Sequence, residues 1–341
     1  MYIKKILVSI ALLGLLGCAY FAYYVYDAIL VPNTAFNNEK ATLYISSDAS
    51  FEDVLNDIAP LLKNTETFVI VANKKKYTNN IKPGKYQITK GMNNNDIVNT
   101  LRVKNIPVRV SFNNQESLAS LAGRVAKQIE ADSIELLTTF QSKEFLRDNN
   151  FNEDSALGMY IANSYEFFWN TSAEDFRTRM LKEYNNFWNE DRLLKAKKIG
   201  LSKNQIISLA AIVQKETVKI DERPRVAGVY INRLRKGMLL QADPTVVYAV
   251  KKATGVQLKR VLYEHLKIDS KYNTYLYKGV PPGPIVMPDI SSIDAVLNYE
   301  HHSFFYFVAS TKNLGYHKFA KTLAQHNINA VAYRDWVSKI H

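Results

Sequence analysis

Residues 209–247 read LAAIVQKETVKIDERPRVAGVYINRLRKGMLLQADPTVV, and the rest of the chain is organised around them. Ser202 stands three residues before Gln205, the spacing of a capping box, so a helix is expected to open there. Behind that cap Leu209, Ile212 and Val213 recur at helical spacing and define an apolar face. Three residues further the same stripe reaches Glu216. A carboxylate on the buried face of a helix is costly unless it is paired or protonated. Desolvation there raises its pKa toward what a general acid needs near neutral pH. Glu216 is thus the leading catalytic candidate; the alternative places it at the helix end, turned to solvent or paired with Lys215 or Arg223. A second helix is expected over 223–236, with Pro224 in its first turn and Gly237 just past its end. Asp243 followed by Pro244 marks another helix start.

The 341 residues allow an anchor and two modest domains. With 47% apolar and 22% charged residues the composition is that of a folded chain. A net charge of +12 favours something acidic: nucleic acid, an anionic membrane surface or a carboxylate-bearing polymer. Solvated lysine-rich faces account for it as well. Residues 6–26 form an almost uninterrupted apolar run after Lys4 and Lys5, enough at about 1.5 Å per residue for the roughly 30 Å core of a bilayer. The lysines before it and Asp27 after it leave the amino terminus in the cytoplasm. Its tyrosine-rich end, AYFAYYVY, suits an interfacial belt, and the run is longer than a signal-peptide core. Leu15-Leu16-Gly17-Cys18 resembles a loose lipoprotein box, but the residues after Cys18 stay apolar. The expectation is therefore a cytoplasmic stub and transmembrane anchor over 1–31, with the remainder outside the cytoplasmic (inner) membrane, facing the cell envelope. Cys18 is the only cysteine, so the exported part has no disulfide, no thiol nucleophile and no cysteine zinc site.

Residues 41–104 read as a small α+β unit. Strands are expected at 42–45, 67–72 and, after the Pro83-Gly84 turn, 85–89. Ser50 opens a helix with Asp53 at capping-box spacing, and Asn93-Asn94-Asn95-Asp96 introduces another that ends near Leu101. The alternating segment 107–112 opens a second domain, 105–341. Helical patterns follow at 117–129, 133–139 and, as one long amphipathic helix, 173–198. The Pro- and Gly-rich residues 272–285 read as a loop. Ser291, with Asp294 at capping-box spacing, starts a short helix. Residues 304–309 suit a buried strand, His317-Lys318-Phe319 its hairpin partner, and the last helix carries Ala330, Val331 and Trp336.

At this point the blocks align with a known pattern. IVQKET at 212–217, then ER..VA.V.INRL..GM.LQ.DPTV at 222–246, resembles the endolytic murein transglycosylases, the YceG-like family. The resemblance continues through Tyr272-Asn273-Thr274-Tyr275, through residues 279–285 and through Tyr306-Phe307-Val308-Ala309, and closes with His317-x-Phe319 and His326-Asn327. It covers nearly all of the chain after the anchor and is densest from 209 to 327. Pro83-Gly84-Lys85-Tyr86-x-Ile88 before a helix is similar to the family's LysM-like subdomain, a module type that binds cell-wall glycan; a plain spacer is the alternative. One departure stands at 157–165, LGMYIANSY, where the family carries E-G-Y-L-F-P-D-T-Y. Gly158 and Tyr165 keep the frame, while the lost acid and proline bear on subsite contacts. The implied fold is α+β: an N-terminal transmembrane helix, a small LysM-like α+β subdomain and a larger α+β catalytic domain.

The resemblance implies a lytic transglycosylase that cuts the MurNAc–GlcNAc bond of nascent glycan strands. It would leave 1,6-anhydro-MurNAc ends and help to terminate strand elongation beside the cell-wall synthases. Glycosidic cleavage needs a proton for the leaving oxygen, and hydrolases generally add a second carboxylate. A lytic transglycosylase uses the sugar's own C6 hydroxyl, so one acid/base suffices; the resemblance assigns it to Glu216. Gln214 stands where many members carry another acid, about 200° around the helix from Glu216. Asp243 is either a helix cap or a second acid. Gln241 and Asn273 offer amides, and Tyr272 and Tyr275 ring faces, to sugars. Asn232, as a group orienting Glu216, together with Thr274 and His326 completes the site candidates, although such amides often serve loop backbone instead.

The resemblance implies no cofactor. His301, His302, His317 and His326 lack HExxH spacing, so no metal is expected, and no P-loop, dinucleotide fingerprint or serine elbow is present. The expected partners are peptidoglycan glycan strands, the cytoplasmic membrane and wall synthases, with no nucleic acid. Two alternatives remain: a muramidase-type hydrolase using Glu216, Asp243 and water, and a non-catalytic peptidoglycan-binding scaffold.

Overall fold

A computed structural model describes residues 2–340 as a mixed α+β chain that divides into two compact units. The first comprises residues 1–110 with 128–131 and 166–172; the second comprises 111–127, 132–165 and 173–341.

The first unit begins with α1 (Tyr2–Leu30), long and apolar enough to cross a membrane. Its residues 2–26 are exposed, while Ala28 near its end is buried. Asn94 holds this end of the helix. Its Nδ2 donates to the Ala28 carbonyl at 2.8 Å, and its Oδ1 accepts from Asn33 Nδ2 at 2.7 Å. A buried amide with its groups satisfied in this way fixes one geometry of the chain leaving the helix. The elements that follow are β1 (Lys40–Ile45), α2 (Phe51–Ile58), α3 (Thr65–Lys74), β2 (Gly84–Thr89) and α4 (Asn94–Val103). β1 and β2 are antiparallel, with Leu43 opposite Tyr86 and Ala41 opposite Ile88. Leu43, Ile45, Tyr86 and Ile88 pack with Val54, Ile58, Phe68, Val71 and Leu101 in the core. The Ser50/Asp53 capping box opens α2 as expected.

Residues 67–72 are helical within α3, and the expected strand is corrected. Asn64 accepts from the Thr67 amide and caps the helix, and Phe68, Val71 and Ala72 bury one face at helical spacing. Capping and a three-and-four periodicity outweigh the β preference of Phe-Val-Ile-Val.

β3 (Pro107–Phe112) pairs with β4 (Asn163–Phe168). In the second unit, α5 (Leu118–Ala126), α6 (Ser133–Phe140) and α7 (Lys143–Asp148) precede β4, and α8 (Ala173–Phe187) and α9 (Glu190–Ile199) follow it. The single helix expected over 173–198 is therefore two. Asn189 caps α9 by accepting from the Arg192 amide, and an N-cap residue takes extended, non-helical dihedrals that interrupt the helix.

The centre of this unit is α10 (Lys203–Glu216), opened by the Ser202/Gln205 capping box. Every residue from Ile206 to Val213 is buried, so the helix is enclosed all round rather than along the single face its stripe suggests. α11 (Arg223–Arg235), α12 (Asp243–Thr254) and α13 (Ile290–Leu297) pack around it. Asp289, not Ser291, caps α13, accepting from the Ser292 amide. Gln214 ties α10 to that cap: its Oε1 accepts from the Asp289 amide at 2.7 Å and from Ser292 Oγ at 3.0 Å.

The hairpin of β5 (Tyr306–Ala309) and β6 (His317–Ala320) pairs Phe307 with Phe319. β5 is half-buried along its length rather than fully buried. The chain ends in α14 (Leu323–Ile340). Gly228 on α11 is a close-approach position, since a Cβ there would lie 2.4 Å from the Glu300 carbonyl oxygen and 2.6 Å from His302 Nε2. Only a glycine lets the segment leading into β5 lie against α11.

Candidate active site

Glu216 is the last residue of α10, because Thr217 turns extended. The helix thus delivers the side chain from a rigid, buried rod to the edge of a cleft. Two cavities meet at this point, and both are lined by Glu216 and Asp243. The larger, about 560 Å³, is walled by Tyr248 and Val247 of α12 with Lys215, Lys251, Lys259 and Arg260. The smaller, about 300 Å³, is walled by Tyr230, Arg233, Gln241, Tyr275, Tyr306 and His326. Extended ligands suit such paired concavities flanking a titratable group.

The Tyr230 hydroxyl donates to Glu216 Oε1 at 2.6 Å. Among the described residues nothing donates to Oε2, so one oxygen is fixed and the other is free toward the cleft. Burial pushes the Glu216 carboxyl up to about 7, the Asp243 charge adds to the rise, and the Tyr230 hydrogen bond and the Arg233 guanidinium oppose it. Desolvation therefore dominates. At neutral pH the group is divided between acid and carboxylate, as a proton donor that must later accept requires.

Arg233 lies one turn from Tyr230 on α11. It is 8% exposed and held by main chain: Nε donates to the Phe305 carbonyl at 2.7 Å and Nη1 to the Leu240 carbonyl at 2.8 Å. Its guanidinium lies 5.2 Å from the Tyr306 ring centre. It joins α11, the strand β5 and the turn before α12 around the smaller cavity. Asp243 is the first residue of α12, and Ala242 is the N-cap, so the expected cap role is corrected. The Asp243 side chain instead accepts from the Tyr275 hydroxyl at 2.6 Å, which leaves it facing both cavities.

The other sequence candidates separate into those at the cleft and those behind it. Gln241 lines the smaller cavity in a left-handed conformation, φ 49°, and its amide donates to the Thr274 carbonyl. His326 lines the same cavity, stacked 5.3 Å from the Tyr306 ring. Burial, then Arg233, lowers its pKa. Asn273 is fully buried with its Nδ2 donating to the Leu266 and Ile268 carbonyls, so its amide serves the loop and not the cleft. Thr274 is buried as well, its Oγ1 accepting from the Ala242 amide and lying 2.9 Å from Thr245 Oγ1.

Tyr272 sits behind Tyr248, ring centres 4.7 Å apart, with its hydroxyl on Asp154 at 3.1 Å. Asn232 donates to the His302 and Phe304 carbonyls at 2.8 and 3.0 Å; it secures the approach to β5, and Tyr230 is the group on Glu216. His302 and His317 are occupied too. His302 Nε2 is 2.9 Å from the Arg225 carbonyl, and His317 Nδ1 is 2.8 Å from buried Glu222.

Sequence reasoning missed Tyr230 and Arg233. Both lie within INRL and the residue before it, and the i, i+3 spacing that puts them on one face of α11 was the available signal.

Residues 43–332 match the family model described as the YceG-like family. The chain belongs to the YceG-like family. Among relatives of this YceG-like chain is the protein named endolytic murein transglycosylase from Bacillus subtilis (strain 168). It is 40% identical over 157 residues, 46% of this chain and 42% of the relative. A protein of the same name from Streptococcus pneumoniae serotype 2 (strain D39 / NCTC 7466) is 27% identical over 90% of this chain and 61% of its own length. The chain thus spans about two fifths and three fifths of these two relatives. The crystal structure of a putative YceG-like protein, lmo1499, from Listeria monocytogenes superposes with a TM-score of 0.57 at 29% identity. That match covers 86% of this chain and 99% of the other.

Proposed function

We propose that this protein is an endolytic peptidoglycan lytic transglycosylase in which Glu216 is the single acid/base. The position of Glu216 carries the reading: an acid balanced near neutrality, one oxygen held by Tyr230 and the other open to a two-part cleft. The protonated Oε2 gives its proton to O4 of the departing GlcNAc as the bond to C1 of MurNAc breaks. The C6 hydroxyl of the same MurNAc then bonds to C1, and its proton goes to the Glu216 carboxylate. Both events use one group, and the product is a 1,6-anhydro-MurNAc end. The Asp243 carboxylate, steadied by Tyr275, supplies negative charge beside the oxocarbenium-like transition state.

The names of the two relatives support murein as the substrate. The first unit's residues 41–104 act as a LysM-like glycan contact, and 105–341 as the catalytic domain. α1 is the anchor, with the amino terminus in the cytoplasm, and the rest faces the envelope. There the enzyme cuts nascent strands beside the synthases and ends their elongation. Gln241 and His326 contact the sugars.

Asp243 favours a second reading. A carboxylate lining both cavities with Glu216 is the component a muramidase would use to direct water. Digestion of purified peptidoglycan and of nascent glycan, with products read by mass, separates the two. Anhydro ends from the parent and none from Glu216→Gln are expected. Reducing ends would assign the hydrolase, and binding without cleavage would assign a scaffold.

A further inference from the structure

We propose that the two loops beyond the Glu216 end of α10, residues 217–222 and 310–316, form a docking surface for an anionic lipid bilayer. Val218, Ile220 and Leu314 project from them at 80%, 62% and 68% exposure. Aliphatic side chains gathered on adjoining loops, rather than scattered singly, mark a surface that meets something other than water.

The loops are stapled to each other. Lys219 Nζ lies 5.0 Å from the Tyr316 ring centre. The Tyr316 hydroxyl lies 3.3 and 3.0 Å from the two Asp221 carboxylate oxygens. Behind them the Glu222 carboxylate accepts from the His317 amide at 2.7 Å and meets His317 Nδ1 at 2.8 Å. Gly315 approaches Lys219 so closely that a Cβ would stand 3.0 Å from Cε. The aliphatic tips are therefore presented on a braced base, and little ordering remains to be done on binding.

Charge selects the occupant. Residues 312–321 carry Lys312, Lys318 and Lys321 and no acid, all three lysines exposed. Lys219 adds a fourth cation, against two carboxylates: Asp221, which accepts from Tyr316, and Glu222, which is buried against His317. Aliphatic side chains flanked by lysines match an interface of acyl chains under acidic headgroups. This inference rests on the reading of α1 as a membrane span, which keeps a bilayer within reach. Because Val218 is two residues from Glu216, docking holds the acid's end of the cleft near the headgroups.

The test places an environment-sensitive dye on Leu314→Cys in a Cys18→Ala background, with Lys198→Cys on exposed α9 as the control. The whole chain is reconstituted into lipid nanodiscs carrying a shallow nitroxide quencher. In phosphatidylglycerol discs the dye at 314 is expected to shift to the blue and be quenched, and the dye at 198 is not. Lys312→Gln should lower the ratio of docked to free molecules roughly fivefold. The pair Val218→Ser and Ile220→Ser should abolish quenching.

An unquenched dye at 314 on discs that retain the chain overturns the proposal. Equal quenching at 314 and 198, or quenching in phosphatidylcholine discs as strong as in phosphatidylglycerol, does the same. A signal that follows protein concentration rather than lipid assigns the patch to a second copy and also overturns it. Failure of the anchor reading looks different, since the chain is then not retained by discs at all; the same dye on added phosphatidylglycerol vesicles then decides the docking.

Discussion

Replacing Tyr230 by Phe removes one oxygen atom and with it the donor to Glu216. In the parent the hydroxyl sits 2.6 Å from Oε1 and holds the carboxyl down against burial, which has pushed it up to about 7. A hydrogen bond to an ionised group contributes about 1.5–3 kcal/mol and one to a neutral group about half of that. The difference between the two protonation states is then about 1.4 kcal/mol, or about one pH unit. Activity that needs protonated Glu216 falls as pH rises through its pKa, so the parent's kcat/KM has a descending limb near pH 7. In Tyr230→Phe that limb moves up by about one unit. At pH 8 the protonated fraction rises from about a tenth to about a half, while the plateau at low pH drops because the acid is weaker and less firmly placed. The assay is release of soluble glycan fragments from pH 5 to 9. A limb that stays in place, or moves toward acid, would refute the assignment of both residues.

Asp243→Asn should move the same limb the other way, by a few tenths of a unit, because the Asp243 charge raises the Glu216 pKa; the pH profile of the variant checks it. Glu216→Gln should alter stability with a defined pH dependence. The carboxyl rises from an ordinary 4.5 to about 7 on folding, so the folded state binds the proton more tightly. The parent accordingly loses on the order of 3 kcal/mol between pH 4.5 and 7. Urea midpoints should show the variant gaining on the parent from pH 5 to pH 8. Asn273→Ala removes two buried bonds to the Leu266 and Ile268 carbonyls. It should cost about 2–3 kcal/mol in denaturation, whereas an amide that only contacted sugar could be lost with the urea midpoint near the parent's. Gly283→Ala should fail to accumulate as folded protein, since its Cβ would fall 1.8 Å from the Asp154 carbonyl oxygen, a clash that backbone on both sides cannot relieve.

The helix starts were legible because capping is local. Ser50, Asn93 and Ser202 each declare a helix within four residues, and each side chain accepts the expected amide. The errors share a cause. Residues 67–72 carry β-branched and aromatic side chains that suit a strand, and it takes the Asn64 cap together with the burial of Phe68, Val71 and Ala72 on one core to make the helix. The break between α8 and α9 was hidden because the amphipathic pattern runs on across Asn189 while the backbone does not. At α13, Asp289 and Ser291 both have a capping side chain and Arg223 Nη1 donates to both; what favours Asp289 is its bond from the Ser292 amide together with its own amide's donation to Gln214 Oε1 at 2.7 Å, a contact 75 residues distant.

The site was legible only in part, for a reason that lies in how its groups act. Glu216 was visible because a charged residue on an apolar stripe conflicts with its surroundings, and such conflicts mark function. Tyr230 and Arg233 conflict with nothing: on a helix they read as an ordinary aromatic and an ordinary cation. Their roles arise from the packing of α11 against α10, which brings the hydroxyl onto Oε1, and from three carbonyls that fix the guanidinium beside the cavity. Asn273 misled in the opposite sense. A polar residue in a loop block suggests a ligand contact, yet the loop needs that amide to hold Tyr275 where its hydroxyl reaches Asp243: the Asn273 Oδ1 accepts from the Tyr275 amide at 3.0 Å. Asn273 therefore acts at one remove, through Tyr275 on Asp243 and through the Asp243 charge on Glu216. A Tyr275→Phe variant separates that route from simple loop stability. It keeps the ring and the loop bond but frees the Asp243 carboxylate, so its pH limb should move while its urea midpoint stays near the parent's, and a midpoint that falls with an unmoved limb would break the chain of influence at Tyr275.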